Sequence, residues 1–145
     1  MTRAGARRRR PPGDAPYEAE TEGFVVRVRP TYLPDQSEPD QHRFVWGYSV
    51  EIENRSEGAA QLISRHWIIT DAAGRVEEVK GPGVVGEQPT IQPGETYAYA
   101  SGCPLSTRSG LMMGSYEMIS DAGEAFEITI PAFSLDLPEA RRVVN

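Results

Sequence analysis

From Tyr17 onward, apolar and polar positions alternate with a period of two along most of the chain, the spacing of strands with one face on a core. Residues 43–54 are the clearest case. Phe44, Trp46, Tyr48, Val50 and Ile52 share one face, and Gly47, Ser49, Glu51 and Glu53 share the other, with Val45 the exception. This predicts a half-buried antiparallel strand. Upstream, residues 24–29 (FVVRVR) predict a first strand closed by Pro30, and the polar residues 33–42 predict a loop. Residues 54–58 form a turn. Residues 62–70 then carry apolar side chains on both parities (Leu62 and Ile68; Ile63, Trp67 and Ile69), which predicts a central strand at least partly covered on both sides. Asp71-Ala-Ala-Gly74 turns the chain into a strand at 75–79, and Pro93-Gly94 precedes another at 95–100. Residues 115–119 and 125–130 flank Asp121-Ala-Gly-Glu124 as a hairpin, and Pro131 and Pro138 weigh against strand beyond it. No stretch repeats like a helix of two turns or more. Some seven short strands, spaced roughly 8–12 residues apart, predict an all-β antiparallel sandwich, immunoglobulin- or fibronectin-III-like. A closed barrel is the alternative.

The length of 145 residues suits one domain with its own core. No apolar run approaches the roughly 20 residues of a membrane helix, which argues against a channel or pump. The single cysteine, Cys103, excludes an internal disulfide framework, and a reducing, cytoplasmic setting is expected. Charge sharpens the division of the chain. The net charge is −6, yet the first ten residues hold five arginines (Arg3, Arg7, Arg8, Arg9, Arg10) and no acid. Setting those five aside leaves 10 of the 15 basic residues against all 21 acidic ones, net −11. So acidic a body is a poor binder of phosphate backbones, and nucleic acid is not an expected partner. Residues 1–16 are expected to be a disordered tail, with one domain over 17–145. Their arginine run lacks the apolar segment that a twin-arginine export signal requires.

The segment from Ser64 to Thr107 holds the one pattern that invites a ligand: Lys80 followed by Gly81-Pro-Gly83-Val-Val-Gly86. A Gly-x-Gly-x-x-Gly loop cradles pyrophosphate when it joins a strand to a helix N-terminus. Here Glu-Gln-Pro follows Gly86, so no helix can start, Pro82 removes a donor, and Glu87 adds an anion. The expected role is an inter-strand turn. A backbone nest for a phosphate, formed by Lys80, Gly81, Gly83 and Gly86, is the second reading. His42, His66 and Cys103 share no metal-binding spacing, so no metal site is expected. Cys103 with His66 is the sole Cys/His pair for nucleophilic chemistry, and no flanking motif supports it. Glu77 and Glu78 alternate across a strand and do not face one substrate. Trp46, Tyr48, Trp67, Tyr97, Tyr99, Tyr116 and Phe126 are spaced for a core, or in part for an interaction groove.

These residues taken together resemble the ApaG family. The resemblance is carried by Ser64-Arg-His-Trp67, Thr70-Asp71, Gly74, the stretch from Gly81 to Pro89, Pro93-Gly94-Glu95, residues 101–107 (SGCPLST), the opening residues 17–23 (YEAETEG), and the strand with Trp46, Tyr48 and Ile52-Glu-Asn54. It spans about residues 17–138. It implies a small fibronectin-III-like sandwich that stands alone in bacteria, often encoded beside a diadenosine-tetraphosphate hydrolase. Related eukaryotic domains, in an F-box ubiquitin-ligase subunit and a polymerase-delta-interacting protein, look like protein-binding modules. The family's association with cobalt and magnesium efflux would have to be indirect here. The function expected is therefore a non-enzymatic binding module with a protein partner, needing no cofactor. A nucleotide or pyrophosphate ligand at residues 81–86 is the alternative.

Overall fold

The computed structural model describes residues 15–138, so the tail expected over residues 1–16 lies almost wholly outside them. Nine strands are present: β1 (Tyr17–Thr21), β2 (Phe24–Tyr32), β3 (Phe44–Asn54), β4 (Ala60–Asp71), β5 (Val76–Pro82), β6 (Thr90–Ile91), β7 (Thr96–Leu105), β8 (Gly110–Ser120) and β9 (Ala125–Leu135). They form two antiparallel sheets, ordered β1-β2-β3-β7 and β5-β4-β8-β9, with β6 also on β4. The all-β sandwich expected from the periodicity is the architecture observed. Among the described residues, the helical elements are two single 3-10 turns, Pro34–Gln36 and Pro39–Gln41. No described helix is long and apolar enough to cross a membrane.

The core lies between the sheets. Val26, Val28, Trp46, Val50 and Ile52 come from one side, and Leu62, Trp67, Tyr116, Met118, Ile128 and Ile130 from the other, all buried. Each large apolar side chain withdrawn from water this way stabilises the fold by about 1.5–3 kcal/mol. The β3 alternation is as the sequence predicts, and Val45 has a reason. It is on the outer face but only 6% exposed, because residues 33–43 fold over it. Leu33 N donates to Val45 O (2.8 Å), and Val45 N donates to the Ser37 hydroxyl (2.9 Å).

Two expectations are corrected and a third is refined. Pro30 does not close the first strand: β2 continues to Tyr32. Pairing with β1 ends at Tyr17 opposite Val28, so β2 has one neighbour at Pro30, where a missing N–H is tolerated. Pro131 does not end β9 either. Met112 pairs with Phe133 but Gly114 pairs with Ile130, so Pro131 and Ala132 sit in a bulge on an edge strand. The mixed parity of residues 62–70 also has another cause. The strand is central, between β5 and β8, but its register against β8 shifts between Leu62 and Ser64. One extra residue turns the core-facing set from Ala60 and Leu62 to Trp67 and Ile69. The bulge accounts for the parity change between Leu62 and Trp67, while Ile68 is half-buried on the outer face, so the strand is partly covered on both sides.

The two long sides of the sandwich differ. On one, β9 packs on β1 and β2. Thr129 N donates to the Thr21 hydroxyl (3.1 Å), the hydroxyls of Tyr17 and Ser134 share a hydrogen bond (3.1 Å), and Trp46 Nε1 donates to Asp136 O (2.9 Å). On the other side, β7 and β5 end their sheets, and a cleft opens between them.

Candidate functional site

The cleft has a volume of about 410 Å³. Alternation along β7 sends Tyr97, Tyr99, Ser101 and Cys103 inward, opposite Ile52, Val50, Tyr48 and Trp46 of β3. Across the gap, β5 contributes Glu77 and Val79, in register with Ile69 and Trp67. Trp67 and Tyr48 meet edge to face with ring centroids 5.3 Å apart. Hydroxyls add polarity at depth. Ser101 is hydrogen-bonded to Tyr48, and the hydroxyls of Tyr99 and Tyr116 share a bond. Burial raises the pKa of Tyr48, Tyr99 and Tyr116 above the usual phenol value, so these groups stay neutral hydrogen-bonding partners at physiological pH.

The glycine pattern forms one lip of this cleft. Lys80, Gly81 and Pro82 belong to β5 rather than to a loop. Lys80 pairs with His66, on the outer face of the sheet. Gly81 lies beneath the Arg65 guanidinium, whose atoms would be about 3 Å from any Cβ placed there. Arg65 Nη1 donates to Pro82 O (3.0 Å) and Gly83 O (2.9 Å), pinning the strand end. Residues 84–87 then make a two-residue hairpin. Val84 N donates to Glu87 O, and Glu87 N to Val84 O, both at 2.8 Å, with φ of +41° at Val85 and +82° at Gly86. Gly83, at φ +59°, has Glu87 O where a Cβ would go, and its N–H donates to Ile63 O (2.8 Å). The amides of Gly83, Val84 and Glu87 are thus bonded to carbonyls within the fold. Gly83 and Gly86 come together in the turn, and Lys80 does not join them. The Tyr97 hydroxyl donates to Glu87 Oε1 (2.7 Å), tying this lip to β7.

Val85 is unusual in two ways at once. It is 56% exposed and holds a positive φ, which a β-branched side chain resists. Val85→Asn should therefore stabilise the fold by about 1 kcal/mol, since Asn-Gly suits such turns. Thermal melts of the two proteins check this, and a lower melting temperature for the variant would count against the strain.

The remaining candidates lie apart. His66 points to the outer face of sheet β5-β4-β8-β9, where Nε2 is 2.9 Å from Glu78 Oε1. Cys103 faces the interior from the other sheet, so sheet β5-β4-β8-β9 separates the two and the Cys/His pair is not assembled. Glu77 and Glu78 point to opposite sides, as their alternation predicts. His42 sits beside a groove of about 420 Å³ near Pro104, at the far end of β7. Among the described residues, no group of three or more His, Cys, Asp or Glu side chains is placed to hold a metal ion. Burial, with Glu77 adding a little, pushes the Cys103 thiol up to about 11. Its alkylation by iodoacetamide at neutral pH should run roughly a hundredfold slower than that of a free thiol. The rate should climb as pH rises toward 11, and a rate matching free cysteine at pH 7.5 would contradict this environment.

Sequence reasoning offers an interaction groove for some of the aromatics, and Tyr48, Trp67 and Tyr99 do line the cleft; it does not place the groove, because both walls come from strands distant in sequence. The signal was present in β7, where Tyr97 and Tyr99 alternate with small residues in a strand without a charge.

Comparison with known proteins bears on the family. Residues 34–120 match the ApaG domain. The chain is 60% identical to Protein ApaG of Mesorhizobium japonicum over 129 residues, covering 89% of this chain and 99% of that one. Protein ApaG of Brucella anthropi is 59% identical over the same shares. A crystal structure from Bordetella pertussis, described as an ApaA protein, superposes with a TM-score of 0.78 at 50% identity, covering 79% of this chain and 94% of that one. On sequence and fold alike, the chain belongs to the ApaG domain family.

Proposed function

We propose that this protein is a non-enzymatic binding module whose partner is another protein, engaged at the open side of the sandwich. The observation that carries the reading is the β5/β7 side itself. It combines an aromatic and hydroxyl-lined cleft, the strained and exposed Val85, and a β7 strand without a neighbour among the described residues on its outer edge. Apolar and aromatic surface with a few placed polar groups is the composition of recognition sites. The most plausible nucleophile and base, Cys103 and His66, are separated by a sheet, which removes the leading argument for catalysis.

The test is site-specific photo-crosslinking in cells, with the photoreactive residue at Ala98 on β7 or, as control, at Ala125 on β9. Adducts with a discrete polypeptide from position 98 alone are expected. Absence of adducts from position 98 would remove the reading.

A nucleotide or pyrophosphate on Lys80, Gly81, Gly83 and Gly86, with an indirect link to diadenosine tetraphosphate metabolism, has weaker support. Three turn amides are committed to carbonyls, and Lys80 faces away. Titrating ATP or diadenosine tetraphosphate to millimolar concentration should leave the amide resonances of residues 81–86 in place. A saturable shift there would favour the nucleotide.

A further inference from the structure

Strands that end a sheet are ordinarily guarded against pairing with other chains by charges, prolines, bulges or covering segments. Three of the long edges here follow that rule. On β1, Glu18 and Glu20 are present and β9 packs alongside. On β9 there are Glu127, Pro131 and a bulge. On β5 there are Glu77, Glu78, Lys80 and Pro82. The fourth edge, β7, has no charged residue over its ten positions, and its one proline, Pro104, is next to its end. Its outward positions are Thr96, Ala98, Ala100, Gly102 and Pro104, all exposed. At about 3.4 Å per residue this is a pairing edge of roughly 30 Å.

The outer face beside that edge specifies a charge. The registers align Glu18, Arg27, Glu51 and Ala98 in one row across the sheet. Charges alternate along it. Arg27 Nε is 3.5 Å from Glu18, and Arg27 Nη1 is 3.6 Å from Glu51. The closest partner of Arg27 is Glu53, at 2.7 Å, in the neighbouring row that continues to Thr96. The row stops at Ala98, whose methyl leaves the Glu51 carboxylate uncovered toward the edge. A further strand would sit about 10 Å from β3, two strand spacings away, within reach of a lysine or arginine extended across Ala98. The opposite face of such a strand would cover the cleft mouth near Tyr99, Val79 and Val85, where apolar side chains fit.

We propose that the β7 edge receives an extended basic segment of another protein as an added strand, with cations alternating with apolar side chains. A cation meets Glu51 on the outer face, since both oxygens of Glu53 are already taken by Arg27 (2.7 Å) and Arg55 (3.1 Å), and the apolar positions close the cleft. The proposal rests on the binding-module reading and names its partner's chemistry. A second copy of this chain fits less well, because its β7 strand carries no cation to meet Glu51. Main-chain hydrogen bonds supply affinity in this mode, and alternate side chains supply selectivity.

The probe is a blocked synthetic peptide alternating lysine with valine and tyrosine, followed by NMR and calorimetry on the full chain. Saturable shifts centred on residues 96–103 are expected. The Ala98→Lys variant should weaken binding by about tenfold or more, through an edge charge that repels the probe. Glu51→Gln should weaken it by about two- to fivefold. Ala125→Lys, the same change on the opposite edge, should leave it unchanged. A peptide with glutamate in place of lysine should not bind. No saturation at millimolar probe, equal binding of the acidic peptide, or shifts located away from β7 would overturn the proposal. So would a dimer that Ala98→Lys dissociates, which would give the edge to a second copy. Crosslinks from position 98 in cells without binding of this probe would overturn the basic strand alone and leave the binding-module reading standing.

Discussion

Asn54→Asp is expected to destabilise this protein by about 4 kcal/mol at pH 7 and far less at pH 4. Asn54 is fully buried and the sole buried polar side chain among the described residues. All its hydrogen-bonding capacity is used. Nδ2 donates to Gly58 O and Ile91 O, both at 2.9 Å, while Oδ1 accepts from Ser56 N (2.8 Å) and the Ser56 hydroxyl (2.6 Å). Its backbone continues the junction: Asn54 N donates to Glu95 O and Gly94 N to Asn54 O. One amide thereby joins the end of β3, the turn after it, β6 and the approach to β7. A carboxylate there would face two carbonyl oxygens without a proton to offer. Folding would hold the acid neutral and raise its pKa above the unfolded value of about 3.9. Below that value both states are protonated and the electrostatic loss vanishes. As pH rises toward the folded pKa, about 1.4 kcal/mol is lost per unit. The protonated acid still donates one bond where the amide donated two, leaving a residual deficit of about 1 kcal/mol. Urea unfolding at pH 4 and pH 7 measures both parts. Variant and parent curves that stay parallel across pH would mean that the site admits water and the junction is looser than described.

Gly114→Ala should be comparably damaging for a steric reason. A Cβ on Gly114 would collide with His66 O and lie 3.2 Å from Trp67 Cα. Both contacts are backbone of β4, which has β5 on its other side and cannot retreat. Gly114 adjoins the bulge where β8 and β9 change register. An overpacked site of this kind costs about 3 kcal/mol or more, lowering Tm by roughly 10 °C. Gly123→Ala is the control. It meets nothing within 4 Å but sits at φ +86°, so only the left-handed conformation is penalised, at about 1–2 kcal/mol. Equal small losses at both positions would argue against so close an approach of β8 to β4.

Fold and site were legible to different depths. The β3 alternation, the 121–124 hairpin and the sandwich class follow from period-two patterning, because each strand buries one face. The bulges were not legible. An extra residue at Ile63 changes which parity faces inward, and sequence alone gives the same pattern to a strand covered on both sides. The prolines misled for a related reason. Pro30 and Pro131 are admissible only because pairing has lapsed or shifted where they fall, a property of neighbouring strands. The glycine pattern marked the right region. Its chemistry depends on Arg65 and on which carbonyls take the turn amides, and neither is written in the spacing. The cleft needs residues 48, 67, 79, 85 and 99 in one place, which only the sheet order supplies.

The seam between Tyr17 and Ser134 has a consequence for how the domain can be carried. Its chain enters and leaves at one point, since the hydroxyls of those two residues are 3.1 Å apart. That point lies at the β1/β9 side, three strand spacings, or about 14 Å, across the sheet from β7. A unit built this way is portable: it can be spliced into a longer polypeptide like a bead on one knot. The β5/β7 side lies across the sandwich from that point of attachment.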